Sequence, residues 1–281
     1  MWSGLLLYTY FILLWGTFVR ASRSGSGCGE SWPACEGSLL FDINNIAQMI
    51  EYFHRLTSGL YGIFALALVI FTIKKKGFQK IGWLCLGFLF LVFLEAWIGR
   101  MLVVNAYVVD DQRVARLVWM GLHFLNTLTL VTSLLLIWAQ SKDVQHDIQH
   151  PVRSLLAYIF TSPLVLGFLL VSLLGIVTAF YDTTVVEGGQ SANGIAPFLS
   201  LLRNIHPFAA VLYVLLIITA WYGRQKEPVY CMQLLFVLVA NLILGGLNIF
   251  FHHVSCLQVA HVLLAHLIWL TLLLIGLRQR A

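Results

Sequence analysis

Glu51, His54 and Arg55 stand at the head of an apolar run that continues from Leu56 to Ile73, so a carboxylate, an imidazole and a guanidinium fall where a membrane segment ordinarily carries none. A charged side chain deep in a bilayer costs roughly 2.5–3.5 kcal/mol on insertion scales, and such groups are therefore paired, ligated or turned toward a cavity. Glu51 and His54 lie three residues apart, about one helical turn, and share a face. Together they offer one metal-ligating nitrogen beside one acid or base. An i,i+4 ion pair of Glu51 with Arg55 that only orients the helix is the alternative.

Three more histidines repeat this placement. Of nine in the chain, His54, His123, His206 and His261 fall once each near the starts of the second, fourth, sixth and eighth apolar spans. Two imidazoles at similar depth on facing helices can supply both axial ligands of a haem iron, so two such pairs make two haem sites. A hydrogen-bonded core histidine is the plainer reading of any one alone, but the shared depth and the alternation have no packing explanation. His146 and His150 sit in a polar stretch and read as solvated. His252 and His253, at the end of the seventh span, either line a pocket or meet water. His266, five residues beyond His261, points to another face. Arg20, Arg23, Arg100, Arg113, Arg116 and Arg203, at helix ends or in loops on the histidine side, are candidates to neutralise haem propionates, although each alone reads equally as a solvated arginine.

The elements that must position these groups are membrane helices. The 281 residues are 60% hydrophobic and 10% charged, with a mean hydropathy of +0.87, far outside the soluble range. The expected fold is an all-α integral membrane protein with about eight spans, at 2–19, 46–73, 81–104, 114–139, 154–180, 197–222, 230–251 and 255–277. An even count puts both termini on one side. Lys74, Lys75, Lys76, Lys80, Lys142, Arg153, Arg224, Lys226, Arg278 and Arg280 mark that side as cytoplasmic, while Glu30, Glu36, Asp42, Asp110, Asp111, Asp182 and Glu187 face outward. The net charge of +5 is largely spent on this asymmetry and implies membrane lipid, not nucleic acid, as the surroundings. Trp2–Val19 has no basic residue before it and no cleavage site after it, so it is expected to remain as a helix, with no import leader. Setting His123 on His261 and His54 on His206 brings Tyr61 over Tyr213. The chain thus reads as two four-helix bundles in tandem, residues 1–140 and 141–281.

Only Cys28 and Cys35 of the five cysteines are close together and placed outside, where an oxidising compartment favours a disulfide. A loop so short gains no more than about 2 kcal/mol from closure. A structural staple and a redox pair are both open readings. Cys85, Cys231 and Cys256 look like isolated thiols.

The Gly16-x-x-x-Arg20 stretch, the loop bearing Cys28, Trp32-Pro33 and Cys35, the Glu51-x-x-His54-Arg55 motif, His123, His206, and Leu257-Gln-Val-Ala-His261 together resemble the haem A synthase family over nearly the whole chain. That resemblance implies oxidation of a methyl group of haem O to a formyl, giving haem A for cytochrome oxidase by successive hydroxylations with water as the oxygen source. It implies that the substrate haem O sits between His54 and His123 with Glu51 as the catalytic residue, accepting a proton or stabilising a cationic intermediate, and that haem b sits as cofactor between His206 and His261. It also implies haem O synthase and an electron acceptor as partners, in the cell membrane of a prokaryote, with the haem sites toward the outer face. Some bacterial members carry a second cysteine pair between the fifth and sixth helices; residues 181–197 have none. A two-haem cytochrome b that only carries electrons is the alternative, distinguished by Glu51 and the cysteine pair. A membrane di-iron hydroxylase needs histidine boxes converging on one side, which His146 and His150 against His252 and His253 do not provide. A transporter is disfavoured because the halves are parallel and lack broken helix pairs.

Overall fold

The structure, a computed structural model, describes residues 1–38, 41–108, 111–141, 151–186, 196–222, 228–252 and 254–278. Among these the elements are α1 (Trp2–Ala21), α2 (Ile46–Lys76), α3 (Phe78–Val104), α4 (Val114–Ser141), α5 (Pro151–Thr161), α6 (Pro163–Tyr181), α7 (Ala196–Tyr222), α8 (Pro228–Phe250) and α9 (Ser255–Arg278), with a π-helical turn at Asp182–Val186. Among the described residues no strand forms beyond an isolated bridge between Cys35 and Ser38. Among the described residues eight helices are long and apolar enough to cross a membrane. The chain is an all-α multi-pass membrane protein, the form in which every backbone amide in lipid finds a partner within its own segment.

One span differs from its expectation. Residues 154–180 read as a single helix, but the chain breaks between α5 and α6. Pro163 has no amide hydrogen to donate, and its ring drives Ser162 to φ −79°, ψ 118°, outside the helical region. The 11-residue α5 is left too short to span. Elsewhere local chemistry sets the boundaries. Asn45 caps α2 by accepting from the Gln48 amide at 3.1 Å. At the other end Lys74, Lys75 and Lys76 occupy the last turn, where cations favour the helix dipole. Gly77 then turns the chain into α3 at φ 86°, a conformation only glycine adopts at little cost.

The chain divides into two compact units, Met1–His146 and Asp147–Ala281. In the first, α1 packs on α2 and α4, α2 on α3, and α3 on α4, closing a four-helix ring. Its apolar core draws Trp2, Tyr61, Val69, Cys85, Phe88 and Leu134 from all four helices. Trp2 meets Phe88 edge-on at 5.9 Å and donates to the Thr72 hydroxyl at 3.1 Å. This packing fills the half of the ring near the α2–α3 turn. Along α4, most residues from Asn126 to Ala139 are buried, whereas only Arg116 is buried between Val114 and Leu125. The looser half is the one that carries His54 and His123.

In the second unit, α6 to α9 form the ring, and α5 lies against α6 and α9. Leu155, Val165, Phe168, Leu234, Leu272 and Leu273 are buried within it. Phe168 stacks on Trp269 at 5.7 Å, and Tyr213 donates to the Leu164 carbonyl at 2.8 Å. At the end of α6 the buried Asp182 accepts from Arg203 Nε at 2.5 Å. Leu7, Ile63, Phe90, Phe93, Phe208 and Phe236 are each more than half exposed on the outer surfaces of their units, which suits helices solvated by lipid tails.

Candidate functional site

The first unit gathers its ionisable groups in its looser half. Glu51 is 3% exposed, and both its oxygens are engaged. Oε2 accepts from the Cys28 amide at 2.9 Å. Oε1 accepts from Arg55 Nη2 at 2.5 Å and from Nε at 3.2 Å. The guanidinium reaches further, donating through Nη1 to the carbonyls of Ser31 at 2.7 Å, Ala34 at 3.1 Å and Pro33 at 3.3 Å. Cys28 and Cys35 form a disulfide, and Ser31 Oγ ties the loop across to the Ala34 carbonyl at 3.0 Å. The ion pair read as the alternative to an acid–base role is therefore formed, and it does more than orient a helix, because it locks the disulfide loop onto α2. The motifs at Cys28–Cys35 and at Glu51–Arg55, distant in sequence, are one structure.

One turn further along α2, His54 presents an imidazole whose Nδ1 is buried without a hydrogen-bond partner. It interacts electrostatically with His123 on α4. The His123 Nδ1 lies 3.4 Å from Glu95 Oε1 of α3, close enough for an ion pair but off hydrogen-bond alignment. Glu95 is itself held from α4: Asn126 Nδ2 donates to its Oε2 at 2.6 Å, and Thr127 donates its hydroxyl to Oε1.

In the second unit His206 on α7 and His261 on α9 also interact electrostatically. Each spends Nδ1 on a backbone carbonyl, His206 on Val171 at 3.2 Å and His261 on Asn241 at 3.1 Å. A carbonyl only accepts, so Nδ1 carries the proton and Nε2 keeps the lone pair that an iron ligand needs.

All four rings lie against a glycine of the preceding long helix. A methyl built on Gly16 would come within 3.0 Å of His54 Cε1, on Gly175 within 3.2 Å of His206 Cε1, and on Gly245 within 3.2 Å of His261 Cε1; at Gly99 it would sit 3.8 Å from His123 Cε1. The histidines occupy the ninth, tenth, eleventh and seventh positions of α2, α4, α7 and α9, roughly 9–15 Å from the helix starts at 1.5 Å per residue. Two facing pairs at matched depth, with small residues behind the rings and Nδ1 fixed in the second unit, fit bis-histidine haem ligation. Among the described residues no three His, Cys, Asp or Glu side chains gather as a metal cluster.

Sequence reasoning overlooked Glu95 and, apart from Gly16 in the Gly16-x-x-x-Arg20 stretch, the glycines. Glu95 was detectable by the argument that singled out Glu51, a carboxylate deep in an apolar span; the glycines carry no local signal that separates them from other helical glycines. Of the candidate propionate partners, Arg113 is paired with Asp111 at 2.9 Å, Arg203 with Asp182, and Arg100 lies 5.9 Å from the Trp32 ring centroid. His252 is exposed and His266 is a core residue bonded through Nδ1 to the Val262 carbonyl at 2.9 Å. His146, His150 and His253 lie outside the described residues, as do Asp110, Lys142, Glu187, Arg224, Lys226 and Arg280.

Residues 1–273 match the model of the COX15-CtaA family of cytochrome oxidase assembly proteins. The chain belongs to that family. Among curated relatives, it is 30% identical over 286 residues to a protoheme IX farnesyltransferase of Thermus thermophilus, covering 95% of this chain and 46% of that protein. It is 35% identical over 128 residues to the heme A synthase of Bacillus licheniformis, covering 45% of this chain and 39% of the relative. With the heme A synthase of Geobacillus kaustophilus it shares 40% identity over 104 residues, covering 36% and 32% of the two chains. The chain thus spans less than half the length of these relatives.

Proposed function

We propose that this chain is a haem A synthase, which oxidises a methyl group of haem O to a formyl group for cytochrome oxidase. The observation that carries the reading is the asymmetry between the two histidine pairs. In the second unit both rings are fixed by backbone carbonyls, an arrangement suited to a haem b that only exchanges electrons. In the first unit Glu95 faces His123 and Glu51 lies three residues before His54 on α2, carboxylates that a pure electron carrier does not need. Membership of a cytochrome oxidase assembly family and the heme A synthase relatives support the assignment.

In this reading His54 and His123 hold the substrate haem O, and His206 and His261 hold a haem b that supplies an electron path. Conversion of the methyl to a formyl takes up one water oxygen and releases four electrons and four protons, through an alcohol stage. Glu51, about one turn from His54, is the residue placed to take protons from the reacting edge. Its contacts with Arg55 and the Cys28 amide hold the carboxylate in a fixed orientation. The electrons leave to an external acceptor. A cytoplasmic position for the opposite end of α2, with the histidine half toward the outer side, is supported by Lys74, Lys75 and Lys76 in its last turn. Haem O synthase is the proposed partner: one relative of this chain is named a protoheme farnesyltransferase and extends well beyond the shared region, and haem O is too apolar to travel through water.

The test is pigment analysis of the purified chain from a host that makes haem O, beside a Glu51→Ala variant. Haem A and its hydroxylated precursor are expected together with haem b in the wild type, and no oxidised product with haem b retained in the variant. Haem b alone in both, with haem O available, would favour the two-haem electron carrier.

A further inference from the structure

The two units share a register in which only the second unit anchors its histidines on backbone carbonyls. His261 is anchored through Nδ1 by the carbonyl of Asn241, four residues before Gly245 on α8. His206 is anchored in the same way by Val171, four residues before Gly175 on α6. The position four residues before Gly99 on α3 is Glu95, and there the group facing the histidine Nδ1 is a side-chain carboxylate at 3.4 Å. We infer that Glu95 is a positioning residue for His123, replacing the neutral backbone anchor of the other unit by a negative one, so that His123 becomes a more strongly donating ligand than His206 or His261. This rests on the reading of His123 as an iron ligand in the proposed function.

Three observations carry it. A carboxylate inside a membrane helix is costly and needs a partner; the His123 ring lies 3.4 Å from it, and Tyr61 of α2 also interacts with it electrostatically. Both Glu95 oxygens are oriented by donors from the helix that bears His123, Asn126 Nδ2 at 2.6 Å and the Thr127 hydroxyl, three and four residues on from the ligand. Asn126 is in turn tied to α3 by its second bond, to the Leu91 carbonyl at 3.0 Å. The carboxylate is thus fixed on both sides while one oxygen faces the ring. A carboxylate beside the distal nitrogen of a ligating imidazole fixes the ring and raises its basicity, and loss of such a partner costs about 10–100-fold in metal affinity or activity. At iron, a more basic ligand favours the ferric state. This suits the half of the protein where electrons are withdrawn from a bound porphyrin, whereas in the other unit backbone carbonyls take that place.

The experiment compares purified wild type with Glu95→Gln and Glu95→Ala by haem content, electron paramagnetic resonance of the low-spin haems, and redox titration. The haem held by His206 and His261 serves as an internal control for folding. In Glu95→Gln, haem content is expected to stay at wild-type level, the signal of the His54–His123 haem to change, and its midpoint potential to rise, by about 59 mV for each tenfold loss of ferric preference. The second haem is expected not to move. Glu95→Ala is expected to do the same with partial loss of the first haem. Unchanged signal and potential in Glu95→Gln at full haem content would overturn the inference and leave Glu95 as a packing residue. A separate control, His123→Ala, distinguishes the parent reading: if the first haem survives with unaltered spectrum, His123 is not a ligand, and the proposed site fails together with this inference.

Discussion

Replacing Arg55 by methionine keeps the length and apolar stem of the side chain but removes the guanidinium donors that clamp the outer loop. In the structure those donors serve Glu51 through two contacts and the carbonyls of Ser31, Pro33 and Ala34 through a third nitrogen. Glu51, only 3% exposed, would keep the Cys28 amide but lose its counter-charge. Removing one partner of a buried ion pair costs about 3–5 kcal/mol. Protonation of Glu51 relieves part of that, so the lower end applies here, and opening the loop to water relieves the rest. Open conformers should therefore gain about 3 kcal/mol, or roughly a hundredfold in population at 1.4 kcal/mol per factor of ten. Cys28 and Cys35 are 0% and 1% exposed, so a soluble thiol reaches the disulfide only through open conformers. The rate of reduction by a fixed concentration of dithiothreitol, followed as two added maleimide masses per chain, is expected to rise about a hundredfold in Arg55→Met. A rate within twofold of wild type would refute the claim that Glu51 and Arg55 hold the loop closed.

Gly175→Val puts a branched side chain where a single methyl already comes within 3.2 Å of His206; the purified variant is expected to lose the haem b pigment and keep the haem of the first unit, as read by pyridine haemochrome stoichiometry. His266→Leu alters a buried histidine that is not a proposed ligand, so both pigments are expected to remain at wild-type ratio. Phe88→Ala empties a fully buried position in the first unit, and at about 3 kcal/mol for such a truncation the detergent-solubilised protein is expected to unfold several degrees lower, measured by intrinsic fluorescence, with haem spectra unchanged below the transition.

Much of the fold was legible because membrane helices announce themselves by composition. Seven of the apolar spans correspond to single long helices within a few residues, and the failure at 154–180 came from a proline inside an otherwise continuous apolar run, where hydropathy averages over the break that Pro163 makes. The histidines were legible through depth and alternation. The link between the disulfide loop and Glu51 was not, since it runs through backbone carbonyls and one amide that leave no trace in residue type. Glu95 was legible in principle, as an acid within an apolar span, but its meaning depends on His123 lying opposite on another helix, and only packing shows that. The glycines behind the rings are the extreme case: what they contribute is an absence of atoms, which acquires meaning only once the facing ring is placed.

Whether the chain itself turns haem O into haem A is tested most directly by the total haem of a host that makes haem O but no haem A, grown with and without this chain and resolved by reversed-phase chromatography with mass detection. Haem A is expected only when the chain is present. Haem O as the sole farnesylated pigment in both cultures, with the chain confirmed in the membrane and carrying haem b, would contradict the proposed activity.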